Sequence, residues 1–258
     1  LSLVGSEMCI RDSGCTVRNY TNRFVYVSLS GKIESLTIDD CIFIGADNST
    51  TNKAIYASSA HTQVETLSVT NSTFLNFNTG SNYFFRINCG EELVLMPVVL
   101  IDHCTFYNCY DRRGVYLYNA GRSTIKNCIS AFSERRDDTK SFTAYGDESI
   151  VKNVISYNVD LYGSAPKENI ISKNPLFVDA ENGNFQLYKD SPAVGAGDDG
   201  SDLGDPRWGV STENAPVGEL PYECFKKPYS MSPTTHSVRI LWQTLDANPS
   251  GTVYYGKT

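Results

Sequence analysis

The chain has 258 residues, enough for one large domain or two smaller ones. Its 22 Lys and Arg against 29 Asp and Glu leave a formal charge of −7. This weighs against a nucleic-acid partner, whose phosphates need a basic face, and against a purely electrostatic grip on an acidic polysaccharide unless a cation bridges the two.

Sixteen Tyr, 12 Phe and 19 Gly read as β-rich and globular. No run of about 18 apolar residues predicts a membrane span. The opening string LSLVGSEMCIRDS (1–13) is similar to a translated sequencing-adapter sequence and is set aside from fold reasoning. Eight cysteines are present, at 9, 15, 41, 89, 104, 109, 128 and 224. None form a CxxC pair, so zinc spacing is absent, and no disulfide framework is indicated.

From Gly14 a short pattern recurs: an apolar strand, a polar turn residue, a small or apolar residue, any residue, then often Phe. Its copies are LTIDDCIF (36–43), LSVTNSTF (67–74), VLIDHCTF (99–106), STIKNCIS (123–130), SIVKNVIS (149–156) and IISKNPLF (170–177), with a weaker CTVRNYTN (15–22). The residue after the turn is Tyr20, Cys41, Ser72, Cys104, Cys128, Val154 and Pro175, so successive copies lie 21, 31, 32, 24, 26 and 21 residues apart. A minimum near 21 with longer steps fits coils of three short strands joined by loops of varying length. It does not fit a propeller blade of about 40 residues. The expected fold is all-β: a right-handed parallel β-helix over 14–209.

The turn column reads Asn19, Asp40, Asn71, His103, Asn127, Asn153 and Asn174. Asn and Asp tolerate the left-handed backbone. Coils stacked at about 4.8 Å would align these side chains as a polar ladder, His103 included. The column after the turn, and the Phe column two residues on, share one face, which must be the interior.

Two charged loops should leave the same edge of adjacent coils. One holds Asp111, Arg112 and Arg113; the other holds Glu134, Arg135, Arg136, Asp137 and Asp138. Tyr110, Tyr116, Tyr118, Phe132 and Tyr145 surround them in sequence. Arg forks beside aromatic faces suit a sugar chain bearing carboxylates. The candidate ligand-binding residues are therefore Arg112, Arg113, Arg135, Arg136, Asp137, Asp138, Tyr110 and Tyr116. The plainer expectation is that mixed-sign loops pair with one another in solvent. Lys140 and Lys152 are the nearby residues that could act as a base. Asp198, Asp199, Asp202 and Asp205 make an acidic, Gly-rich loop, a candidate for weak calcium binding or a solvated turn. No other metal or cofactor is evident.

The segment 174–209 departs from the repeat. It carries NPLF (174–177), GNF (183–185), SPA (191–193) with Gly195 and Gly197, and GDPRW (204–208). That order resembles the closing segment of bacterial surface β-helix proteins, some of which share the fold of pectate and chondroitin lyases. The resemblance implies an exported, extracellular or cell-surface protein of polysaccharide-using bacteria, a glycan as partner, and a segment that caps the solenoid. If the resemblance extends to lyase activity, it also implies a base and an Arg or calcium to neutralise a uronate.

Residues 210–228 read as a linker. Within 229–258, the order Ser-Pro-Thr-x-x-Ser-Val-x-Ile-x-Trp, then Val-x-Tyr-Gly, is carried within Tyr229–Trp242 and by Val253–Gly256. It is similar to the fibronectin type III domain that precedes purple acid phosphatase-like metallophosphoesterases. The resemblance implies a truncated β-sandwich whose metal ligands would lie beyond Thr258. The functional expectation is a monomeric glycan-binding or structural module. The alternatives are a polysaccharide lyase or the non-catalytic front of a phosphoesterase.

Overall fold

A computed structural model describes residues 2–3, 9–18, 23–27, 32–45, 53–59, 63–77, 83–89, 97–110, 112–118, 122–135, 137–216, 224–231 and 239–244. The chain divides into two compact units, 1–215 and 216–258. Nearly all regular structure in both is β.

The first unit is a parallel β-solenoid. A seven-stranded sheet stacks Ser2–Leu3, Arg23–Val27, Lys53–Ser59, Phe85–Cys89, Val115–Tyr118, Lys140–Ala144 and Asp160–Tyr162 in chain order. A second sheet stacks Cys9–Ser13, Lys32–Asp39, Gln63–Thr70, Val98–Asp102, Arg122–Ala131, Ile150–Tyr157 and Lys167–Ile171. It bends at the turn residues into a further flank, made by Thr16–Val17, Ile42–Ile44, Thr73–Leu75, Thr105–Tyr107 and the later halves of Arg122–Ala131 and Ile150–Tyr157. Cys9–Ser13, set aside in the sequence reading, pairs in parallel with Ser35–Asp39.

Strand alternation builds the core. Val25, Ile55, Phe85, Val115 and Phe142 lie in register and point inward. Ile38, Val69, Ile101, Ile125 and Val151 do the same from the second sheet. β-Branched and aromatic residues at every second position fill such a pleated, buried surface well. The Phe column also stacks: Phe74 lies 4.8 Å from Phe43 and 5.0 Å from Phe106, with nearly parallel rings.

At the turn, Asp40, Asn71, His103, Asn127 and Asn153 all have φ between 49° and 54°. The left-handed region costs an L-residue about 1–2 kcal/mol, and local polar bonds offset it. Asn71 donates to Asp39 Oδ1 at 2.9 Å, and Asn127 donates to Asp102 Oδ1 at 3.0 Å.

Two expected ladder members are corrected. Asn169, with φ 49°, takes the place given to Asn174 and donates to Asn153 Oδ1 at 2.9 Å. Val154 pairs with Ile170, so the last coil is shorter than the sequence spacing suggested. Asn174 instead accepts from the Leu176 amide in a local turn. At the other end Gly14, with φ 67°, takes the turn position beside Asp40, because Thr16 pairs with Ile42. Asn19 lies outside the described residues. Glycine needs no side chain to occupy this conformation, so an alignment on Asn and Asp passes over it.

The residue after the turn has a role beyond small size. Cys41, Cys104 and Cys128 donate to the carbonyls of Asp39, Asp102 and Lys126 at 3.2, 3.3 and 2.9 Å, and Ser72 donates to Thr70 at 2.7 Å. A short side chain carrying a donor thus bridges the left-handed residue from inside. Cys104 and Cys128 are free thiols. A second left-handed column, Asn76, Asn108 and Asn158, ends the following flank.

The segment after Asn174 does not simply continue the stack. Phe177–Asp179 and Asn184–Leu187 form an antiparallel hairpin around a left-handed Gly183. The chain from Ser191 to Gly209 then runs back along the solenoid as a strap over the turns. Asp198 meets Lys152, Lys126 and Asn127; Gly204 donates to the Asn127 carbonyl; Arg207 reaches Asp40. Beneath it Phe185, Leu187, Ala193 and Leu203 close a second core over Leu75, Tyr107, Ile129 and Ile155.

In the second unit Cys224–Met231 pairs antiparallel with Arg239–Thr244. The first of these strands begins inside the stretch read as a linker. Residues 245–258, with the expected Val253–Gly256 strand, lie outside the described residues.

Candidate functional site

The inward half of the first sheet is apolar, so its outward half is free to carry chemistry. Tyr26, Tyr56, Arg86 and Tyr116 share one outward column in register. Tyr83 enters from the residues before its strand and ranks between Tyr56 and Tyr116. Ring centroids follow one another at 5.9 Å (Tyr26–Tyr56), 6.0 Å (Tyr56–Tyr83) and 5.6 Å (Tyr83–Tyr116). The series continues through Tyr118, Tyr145 and Tyr162 at 5.9, 5.4 and 6.4 Å.

Cations lie over these rings. Arg23 sits 4.4 and 4.5 Å from the Tyr26 and Tyr56 centroids, Arg86 4.4 Å from Tyr83, and Arg113 4.8 Å from Tyr116. Lys53 is 5.1 Å from Tyr83 and donates to its carbonyl. Arg86 also donates to the hydroxyls of Tyr83 and Tyr56. Each such contact contributes about 0.5–2 kcal/mol, more where water is excluded. Burial raises the Tyr83 phenol against the opposing pull of Arg86, so it remains a neutral hydroxyl near neutrality. The Nε groups of Arg23 and Arg86 are buried and meet no hydrogen-bond partner among the described residues. At one end, Tyr145, Tyr162 and Lys167 line a cavity of about 320 Å³, and Tyr162 is 56% exposed.

The residues expected from the charged loops are distributed differently. Arg113 and Tyr116 join the aromatic face. Arg112 is exposed. Tyr110 hydrogen-bonds to Asn108 and Ser133 and packs edge-on to Phe132. Arg135 pairs with Asp137 and makes a two-pronged contact with Asp160, all at 3.0 Å. Lys140 joins Asp160 at 3.3 Å. Burial pushes the Asp160 carboxyl up, but Arg135 and Lys140 outweigh it and hold it below its usual range. This is a loop closed on its own charges. Asp137 and Asp138 are exposed, and Thr139 donates to Asp138. Arg136 and Asp111 lie outside the described residues.

The acidic loop belongs to the strap. Asn127, Lys152 and Lys126 hold the Asp198 carboxyl well below the usual carboxylate range. Asp202 accepts from the Gly195 amide. Asp205 is buried, accepts from Thr73 at 2.7 Å and pairs with Arg207 at 2.8 Å. Among the described residues no three His, Cys, Asp or Glu side chains gather as a metal set. No helix among them is long and apolar enough to cross a membrane.

The sequence reading missed Arg23, Tyr26, Lys53, Tyr56, Tyr83 and Arg86. A signal was present: Tyr26 and Tyr56 lie about one coil apart, each three residues after Arg23 or Lys53. The turn columns do not reveal it, because they lie in the other sheet.

Residues 99–208 match the family model described as Domain of unknown function (DUF5123). No curated protein matches the chain. The matched stretch starts on a core position of the second sheet and ends at Trp208, so it holds the later coils together with all of the strap but its last residue.

Proposed function

We propose that the chain is a glycan-binding module of the bacterial cell surface, and that its contact is the aromatic and cationic face of the first sheet. One observation carries this reading: an unbroken run of tyrosine rings crosses the coils with Arg23, Arg86 and Arg113 laid over it. Sugar rings stack on aromatic faces, and Arg forks pair with carboxylates and hydroxyls. Neighbouring strands are about 4.8 Å apart, so a chain lying across them meets a new residue at each coil.

Such a face supplies local positive charge on an acidic protein, which answers the electrostatic objection raised by its composition. The surface location rests on the resemblance of the closing segment. The lyase alternative has less support, because Lys140 and Lys152 are held by Asp160 and Asp198. No residue described here bears on the phosphoesterase alternative.

Affinity electrophoresis through gels containing neutral or uronate-rich polysaccharides tests the reading. Arg113→Ala and Tyr162→Ala, both at exposed positions, should each weaken retention about tenfold, or about 1.4 kcal/mol. Arg112→Ala and Arg135→Ala should leave it unchanged. If a folded Arg86/Arg113/Tyr162 triple alanine variant is retained like the wild type on every polysaccharide that slows the wild type, the face is not the contact. Wild-type migration unaffected by any of them would remove the glycan reading itself.

A further inference from the structure

The strap brings a serine to the one turn where the column carries histidine. Asp102 Oδ1 lies 2.8 Å from His103 Nδ1, and Ser201 Oγ lies 2.7 Å from His103 Nε2. A carboxylate on one ring nitrogen and a hydroxyl on the other is the arrangement through which imidazole takes a proton from a nucleophile. The arrangement is held on both sides. Asn127 and Lys126 fix Asp102 at 3.0 and 3.3 Å. Ser201 sits on a tight turn closed by the Gly197 amide on the Ser201 carbonyl at 2.9 Å, with Gly200 left-handed at φ 81°. Beside it opens a cavity of about 360 Å³, to which Ser201, His103 and Asp202 contribute polar atoms, and Phe177, Phe185 and Trp208 an apolar wall.

We propose that this cavity is a hydrolytic site for small carboxylic esters, with Ser201 as nucleophile, His103 as general base and Asp102 as the carboxylate that orients it. Ser201 Oγ attacks the acyl carbon as its proton passes to His103 Nε2. The bond from that carbon to the alcohol oxygen breaks, and His103 returns the proton to the departing oxygen. Water then attacks the acyl-serine, giving a proton to His103. The Ser201 ester bond breaks and Oγ recovers that proton. One ester and one water become one acid and one alcohol, with no other reactant.

Ser201 Oγ also lies 2.5 Å from Asp199 Oδ1. While His103 is protonated, the serine hydroxyl donates to Asp199 and the site rests. Once His103 is neutral, that hydrogen turns to Nε2. The groups facing the ring are Asp102, Asp199 and Lys126. The Asp102 hydrogen bond raises His103 above the ordinary 6.5, burial opposes this, the charges of Asp102 and Asp199 add to it, and Lys126 subtracts. Activity should therefore rise with pH through a value above 6.5. Asp199→Asn should move that rise to lower pH, a shift that a purely structural contact would not produce.

The test uses the full chain with p-nitrophenyl acetate and butyrate as substrates and a fluorophosphonate as serine probe. The expected result is label on Ser201, turnover, and loss of both by at least about 10²-fold in Ser201→Ala. Asp102→Asn should lower turnover while the far-ultraviolet spectrum stays native. The labelling needs no variant, so a poorly folded Ser201→Ala does not blunt it. Folded wild-type protein that carries no label on Ser201 between about pH 6 and about pH 9, and adds nothing to the background hydrolysis of either ester, would overturn the proposal. The pair would then be a strap contact alone.

Discussion

Replacing Asp205 asks how the strap is held. Its carboxylate is fully buried, accepts from the Thr73 hydroxyl at 2.7 Å and the Arg207 amide at 3.1 Å, and pairs with the Arg207 guanidinium at 2.8 Å. Thr73 in turn accepts from the Trp208 indole at 2.9 Å, so one chain of bonds runs from Trp208 to Asp205. Asp205→Ala strands the Thr73 hydroxyl and one side of Arg207. Breaking a buried pair from one partner costs about 3–5 kcal/mol. The lower end is expected here, because Arg207 keeps Asp40 at 2.7 Å. Asp205→Asn keeps the shape and an acceptor oxygen but removes the charge. Burial already raises the Asp205 carboxyl, against Thr73 and Arg207, so the surroundings as a whole disfavour the ionised form. The amide should therefore cost less than about 1.5 kcal/mol. Urea unfolding followed by circular dichroism gives both numbers. An alanine variant within about 0.5 kcal/mol of wild type, or an asparagine variant as unstable as alanine, would refute the reasoning.

Gly204→Ala should loosen the same strap. A Cβ there would stand 2.7 Å from Thr105 Oγ1 and 2.9 Å from Ile129 Cδ1, at φ 88°. Left-handed strain of about 1–2 kcal/mol and overpacking of about 1–3 kcal/mol should lower the urea midpoint and speed proteolysis within the strap. Phe74→Ala removes the middle ring of the stack and should cost about 3–5 kcal/mol by the same unfolding measurement; Phe74→Leu should cost less. For Asp198 the folded carboxyl lies below its unfolded value. Its contribution is therefore present above the ordinary 3.8 and is lost as pH falls below it. The stability gap between wild type and Asp198→Asn should narrow over that acid range in urea titrations. A gap that stays constant would mean that Asp198 does not hold the strap through its charge.

The sequence by itself determined the all-β solenoid, because stacking repeats the same requirement at each coil. Every turn needs a left-handed residue, every coil an apolar inward face, and those needs show as columns at 40, 71, 103, 127 and 153. The second left-handed column was also legible: Asn76, Asn108 and Asn158 each stand five residues after a turn residue. Its spacing repeats that of the first, which masks it. At the ends the columns misled, since a glycine serves as well as asparagine at Gly14 and the last coil is shortened around Asn169.

Only the tertiary structure decided the rest. Contacts between sequence-distant segments leave no period to read. Asp205 meets Thr73 and Thr105, Arg207 meets Asp40, and Ser201 meets His103, all across about a hundred residues or more. The direction in which the strap folds back is set by apolar surface on Phe185, Leu187 and Leu203 seeking the outer flank of the coils. The tyrosine face depends in the same way on how variable loops set the register of the first sheet, which the turn columns of the second sheet do not encode. Local sequence fixes what each coil needs from its own residues; which loops and straps then meet is settled by packing alone.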